Sequence, residues 1–321
     1  MLTRRLLALL PLAASLPARA QAWPARPVRI IIAYPPGGST DLLGRALAQR
    51  LAETIAGSAF VVENRAGGGA IPGTDAAARA APDGYTFALG NNQTHASNQS
   101  FSVAPLPYNV IESFTPVARL AVVHHAFVVP ANHPAKSLSD LIALARAGRR
   151  LTYASSSVGS ASHVIAESFS RRNGLEATHI PYRGGAQATT DTIASVVDFF
   201  VSTWPQVVGL VREGKLRALS IGAPARVPEA PDVPTAAEAG QPETAIDAWF
   251  GMFAPAGTPA AVVDELGGRL VAIIGEPAMA ARLVELGFQP APQGPAAFAR
   301  FQKEEVARWA ALARETGIRM E

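Results

Sequence analysis

The residues best placed to do chemistry lie in three short runs, each at the end of an apolar segment. Tyr34-Pro35-Pro36-Gly37-Gly38-Ser39-Thr40-Asp41 follows the β-branched stretch from Val28. Ser155-Ser156-Ser157-Val158-Gly159-Ser160 follows Leu151–Ala154, and Tyr182-Arg183-Gly184-Gly185 follows Thr178–Pro181. Glycine lets backbone approach a ligand closely, and a helix that begins at such a loop offers unpaired amides. That arrangement attracts anions, carboxylates included. The first loop lacks the lysine of a phosphate loop and carries no G-x-G-x-x-G, so nucleotide fingerprints fail. Each loop alone also fits an ordinary turn, with Ser160 as a helix cap. Three of them at the carboxyl ends of parallel strands occupy the place where open α/β sheets bind ligands.

Other chemistries find less support. The chain has no cysteine, which excludes disulfides, thiolate metal sites and a cysteine nucleophile. Its six histidines form no metal-ligand spacing; His124 and His125 are adjacent and would point to opposite faces of a strand. Ser160 and His163, three apart, could share a helix face as in a hydrolase, but no G-x-S-x-G elbow accompanies them. We therefore expect no catalysis, no cofactor and no metal.

The elements that position the loops follow from periodicity. Val28–Tyr34 reads as a strand buried on both faces. Ser39 or Thr40 is expected to cap a helix striped by Leu43, Leu47, Leu51 and Ile55. Phe60–Glu63 and Tyr85–Leu89 read as further strands, with an alanine-rich helix at Asp75–Ala80 between them. A second alternating block begins with one extended stretch, Val117–Val129. It continues through a helix with a Ser137/Asp140 capping box and through strands near 151, 178, 199 and 216, and ends in a Pro-rich loop at Ala223–Pro234. Ala248–Ala254 then reads as extended, followed by helices near 260–274, 277–286 and 295–315. This alternation implies an α/β fold of two doubly wound lobes with a cleft between them. The chain would cross near His124–Ala126 and return near Asp247–Trp249. Lobe 1 would hold 21–124 and 249–321, and lobe 2 would hold 125–248.

The chain has 321 residues, 49% of them apolar, enough for large cores. Residues 1–20 read as a signal peptide: Arg4-Arg5, an apolar run to Leu16, and Ala18-Arg19-Ala20, with cleavage after Ala20 or Ala22. Thr3–Leu7 weakly resembles a twin-arginine signal. Removing the leader takes Arg4, Arg5 and Arg19 from 28 basic residues, which leaves a balance with the 25 acids. A neutral mature chain lacks the basic footprint of a nucleic-acid binder. No later stretch is apolar over the length that spans a membrane. The expected location is the periplasm.

Several phrases then combine. Arg26-Pro27-Val28-Arg29-Ile30 leads into the first loop; Val62-Glu63-Asn64-Arg65-Ala66-Gly67, Pro82-Asp83-Gly84-Tyr85-Thr86, Pro181-Tyr182-Arg183-Gly184 and Pro255-Ala256-Gly257-Thr258-Pro259 follow. Together they resemble the Bug/TctC family of periplasmic solute-binding receptors, associated with tripartite tricarboxylate transporters, over essentially the whole mature chain. The resemblance implies a type II periplasmic-binding-protein fold, a clamp closing on a small organic acid, and membrane permease subunits as partners. By motif position it implies binding roles for Gly37, Gly38, Ser39 and Asp41, for Ser155 and Ser160, and for Tyr182 and Gly184. An acid beside an anion would repel it, so Asp41 is expected to cap backbone amides, order the loop or hold water. Tyr34 belongs to the same loop. Asn91 and Thr94 lie in the hydrogen-bonding run Asn91-Asn92-Gln93-Thr94-His95. This chain departs from the family where Asn98-Gln99, Ser157 and Gln187 stand. Ser202-Thr203-Trp204 replaces an acid that amino-acid-binding members carry. That loss disfavours an ammonium group on the ligand, and Trp204 could stack on a flat one. The expectation is a carboxylate without an amine, aromatic if Trp204 faces it. A signalling sensor built on the same clamp is the alternative to transport.

Overall fold

The computed structural model describes residues 23–319; the signal peptide expected at 1–20 and its expected cleavage after Ala20 or Ala22 lie outside them. The first alternating run is β1 (Val28–Ile32), α1 (Ser39–Thr54), β2 (Phe60–Asn64), α2 (Ile71–Ala78) and β3 (Thr86–Asn91), followed by the short α3 (Asn98–Phe101). Then come β4 (Phe114–Val123), β5 (His125–Pro130), α4 (Leu138–Arg146), β6 (Leu151–Ser155), α5 (Ala161–Arg172) and β7 (Ala177–Pro181). α6 (Gly185–Ile193), β8 (Phe199–Thr203), α7 (Trp204–Arg212) and β9 (Leu216–Ile221) complete the second run. β10 (Ala248–Pro255), α8 (Ala260–Gly275), α9 (Pro277–Glu285), β11 (Gln289–Gln293) and α10 (Pro295–Thr316) end the fold.

Two sheets result. One has the order β11-β4-β10-β3-β1-β2, the other β7-β6-β8-β5-β9. β1 pairs in parallel with β2 and β3, and β6 with β7 and β8. β10 runs antiparallel between β3 and β4, and β5 runs antiparallel between β8 and β9. This is the type II periplasmic-binding architecture of two lobes. The stretch expected as one strand at 117–129 is two. It breaks at His124, so β4 stays in the first sheet and β5 enters the second. His124 Nδ1 lies 2.7 Å from Asp247 Oδ1, which ties the outgoing crossing to the returning one.

Local sequence explains most elements. Leu43, Leu47 and Leu51 of α1 are fully buried against the first sheet, as their 3–4 spacing requires. Its cap is not a hydroxyl: the N-cap is Gly38, without a side-chain bond, and Ser39 is already helical. Ser137 Oγ accepts from the Asp140 amide at the start of α4, as the capping box predicts. β11 escapes a propensity reading because Pro290 and Pro292 lack the ladder donor; it is an edge strand, where proline is tolerated. Gln93–Ser97, within and beyond the hydrogen-bonding run, forms a buried π-helical turn. Gln302 of α10 holds it, donating to the His95 and Val110 carbonyls at 3.0 and 2.8 Å. Trp249 and Trp309 both donate to Glu305 Oε2, fixing α10 to β10.

Candidate functional site

A cavity of about 70 Å³ lies between the two sheets. Four helices begin at it: α1 through Gly38, Ser39 and Thr40, α5 through Ser160, Ala161 and Ser162, α6 through Gly185, and α7 through Thr203. The N-termini of α1, α5 and α6 present amides without intrahelical partners; at α7 the Trp204 amide is taken by the His124 carbonyl and Pro205 has none, so that end adds mainly its partial positive charge. Tyr34, Asn91, Asn92, Gln93, His125, Ser156 and Gln206 add polar walls, and Ala248 and Phe250 add an apolar one. Among the described lining residues none is Asp, Glu, Lys or Arg. The site can therefore accept an anion through neutral donors, and it offers no counter-charge to a cation.

The glycine loop is braced from behind by Asp41. Its carboxylate accepts from the Gly37 amide at 3.0 Å, from Arg45 Nε at 2.9 Å and from Asn64 Nδ2 at 3.0 Å. Burial pushes this carboxyl up, but Arg45, the Gly37 amide and Asn64 outweigh burial and hold it below the usual carboxylate range. Asp41 thus positions the loop and does not line the cavity. Gly37 stands at φ +85°, a turn that glycine makes without strain.

The serine loop braces itself. Ser155 Oγ donates to the Ser157 carbonyl at 3.0 Å and lies 2.6 Å from His179 Nε2. Ser160 Oγ donates to the Ser157 carbonyl at 2.7 Å, and it accepts from the His163 amide as the cap of α5. Ser162 Oγ accepts from the Ser156 amide. His163 Nδ1 accepts from the Gly159 amide and its ring stacks on His179 at 4.0 Å, so it is not a base for Ser160. The Ser160/His163 pair is a cap and a packing residue. Among the described residues no three His, Cys, Asp or Glu side chains are grouped to hold a metal.

Contacts bridge the lobes across the cavity. Ser39 Oγ lies 2.5 Å from Thr203 Oγ1, and Gln93 Nε2 donates to Ser157 Oγ at 2.6 Å. Gly184, at φ +145°, faces Pro35 so closely that a Cβ would stand 2.6 Å from its ring.

The structure brings Tyr34, Gly38, Ser39, Asn91 and Ser160 to the cavity wall. It leaves Gly37, Asp41 and Gly184 one layer back, shaping the loops. Ser155 is fully buried and its hydroxyl is used internally. Thr94 is buried, bonded to Asn91 and His95. Ser202 is buried and its hydroxyl turns to the Thr203 carbonyl. Tyr182 donates to Asp191 and faces a neighbouring chamber of about 410 Å³ that shares Tyr34 and Ser156 with the cavity. Trp204 lies in the apolar core of the second lobe, away from the cavity.

Residues 43–318 match the family model for the tripartite tricarboxylate transporter family receptor, TctC. The chain belongs to the TctC receptor family. It is 35% identical to Protein BugT of Bordetella pertussis over 95% of this chain and 93% of that protein. Among solved structures, R. palustris Rpa4515 with adipate superposes at TM-score 0.89, with 34% identity, covering 92% of this chain and 99% of that one. MatC from Rhodopseudomonas palustris with bound malate gives 0.84, with 31% identity, covering 90% and 99%. BugD, a periplasmic binding protein, gives 0.87 at 30% identity over 93% of this chain and all of that one. TctC receptors of this kind are periplasmic solute-binding proteins. No helix among the described residues is long and apolar enough to cross a membrane.

In this TctC chain, sequence reasoning missed Thr40, His125, Ser162, Thr203, Gly185 and Gln206 as wall residues. The hydroxyls carried a signal, since each starts a helix after a strand. His125 carried none, because only the pairing of β5 with β8 turns its ring toward the cleft.

Proposed function

We propose that this chain is an exported receptor that captures a small organic carboxylate lacking an amino group and delivers it to the membrane permease of a tripartite tricarboxylate-type transporter. One observation carries the ligand class. Four helix N-termini converge on a cavity with no formally charged side chain in its described wall. Aligned peptide dipoles stabilise an anion there, and without an acid nearby they disfavour an ammonium group. Structural neighbours solved with adipate and malate support the same class. The buried position of Trp204 removes the reason to expect an aromatic ring. Closure would trap the ligand in the cavity behind the Ser39–Thr203 bridge and present the closed surface to the permease. The Arg4-Arg5 leader supports export.

Native mass spectrometry of the purified protein, before and after unfolding and refolding, should reveal a small acid that the refolded sample lacks. A thermal-shift panel of adipate, malate and succinate against aspartate and glutamate should show stabilisation by the acids without an amine. Stabilisation only by the amino acids overturns the reading.

A further inference from the structure

The hydroxyls and side-chain amides around the cavity can donate as well as accept, whereas one ring nitrogen of His125 can only accept. His125 pairs in register with Thr203, so the two side chains leave the same face of the second sheet toward the cleft. Its Nδ1 lies 2.8 Å from the Ile246 carbonyl oxygen. A carbonyl only accepts, so Nδ1 carries the hydrogen. The residue is 5% exposed. Burial is the main force on the ring and holds its pKa down to about 4, so it is neutral at neutral pH. In that tautomer Nε2 is a lone pair. It has no hydrogen-bond partner among the described residues, yet it is not sealed away as Nε2 of His95 is.

A buried acceptor without a partner carries a desolvation cost that the right ligand group removes. A carboxylate oxygen cannot do so, because two lone pairs repel. An ammonium group could donate, but the helix N-termini oppose it, and Asp247, next to the Ile246 carbonyl, is already paired with His124. An alcohol remains. We propose that His125 is a specificity-determining residue whose Nε2 accepts a hydrogen bond from a ligand hydroxyl, so that the preferred ligand is a hydroxycarboxylate. This rests on the carboxylate reading above and narrows it.

The test is titration calorimetry at neutral pH on refolded, ligand-free protein, with pairs that differ by one hydroxyl: malate and succinate, lactate and propionate, 3-hydroxybutyrate and butyrate. In any pair that binds, the hydroxy acid should bind at least about tenfold more tightly. His125→Leu should bring that ratio to within about twofold, whatever it does to the affinity of either acid alone. His125→Gln, which keeps an acceptor, should retain part of the preference and serves if the leucine variant does not fold. Equal affinities within every pair, or a preference that survives His125→Leu, overturn the inference and leave the carboxylate reading standing. No binding by any acid of either kind overturns both.

Discussion

The glycine loop of the first lobe and the serine loop of the second face one cavity and are held in opposite ways. The first is anchored by an outside group: Asp41, in the first turn of α1, takes the Gly37 amide and is itself fixed by Arg45 and Asn64. The second is a closed circuit of hydroxyls, amides and carbonyls among Ser155, Ser156, Ser157, Ser160 and Ser162, backed by the stacked rings of His163 and His179. A loop with no side chains at its tip must borrow its rigidity; a loop rich in hydroxyls supplies its own and can reorient them. The first therefore offers fixed backbone amides, and the second offers the O–H groups of Ser156 and Ser162, since those of Ser155 and Ser160 are taken by the Ser157 carbonyl.

Acid should separate the two most sharply. Burial, foremost, lowers the imidazoles of His163 and His179 from 6.5 to about 4 in the fold. Between those values the unfolded chain binds more protons, so the stability they contribute is intact above pH 6.5 and is lost as pH falls to about 4. The loss is at most about 1.4 kcal/mol per pH unit for each ring. Asp41 behaves differently, because its depressed pKa keeps it ionised through that window. Hydrogen exchange, corrected for intrinsic rates, should show the amides of Gly159 and His163 losing protection between pH 6.5 and 4 while that of Gly37 does not. Simultaneous loss at both loops would erase the distinction.

Asp41→Ala comes next in size. It strips the Gly37 amide and Arg45 of their acceptor, and we expect a loss of about 2 kcal/mol in denaturant melts with ligand affinity falling at least about tenfold. Full affinity in this variant would show that the glycine loop needs no brace.

Gly184→Ala places a Cβ 2.6 Å from Pro35, in a backbone conformation that costs a side chain about 1–3 kcal/mol. The backbone cost lowers the thermal midpoint of the ligand-free protein too; because Pro35 belongs to the opposite lobe, the clash should add to it in calorimetry as an affinity reduced about tenfold. An equal effect on both would place the strain within the second lobe alone.

The smallest effect belongs to Ser160→Ala, which removes the cap of α5 and should cost about 1 kcal/mol in thermal or urea melts. Chromogenic esters should not be turned over before or after the change. Turnover that disappears with Ser160 would restore the hydrolase reading.

Much of the fold was legible because its signals are local. The Leu43/Leu47/Leu51 stripe, the Ser137/Asp140 box and the alternation of β-branched runs with helices need only neighbours within a few residues. What escaped depends on distant partners. β11 exists because β4 lends it a ladder, against the preference of Pro290 and Pro292. The π-helical turn at Gln93–Ser97 is held by Gln302, far along the chain. The break at His124 comes from β5 joining a different sheet from β4.

The site divides in the same way. The residues on their own determined three strand-to-helix loops of glycines and hydroxyls, a near balance of 28 bases and 25 acids, and a set of family motifs. Those properties are types and spacings, and they survive in an unfolded chain. Only the folded packing decided which groups reach the cavity. It turned Ser155, Thr94, Ser202 and Trp204 inward and spent their polar or apolar surface on the scaffold. It turned Thr203, Ser162 and His125 outward to the cleft. Which way a side chain faces is set by strand register and by where four helices meet, and both are fixed by contacts between residues far apart in the chain.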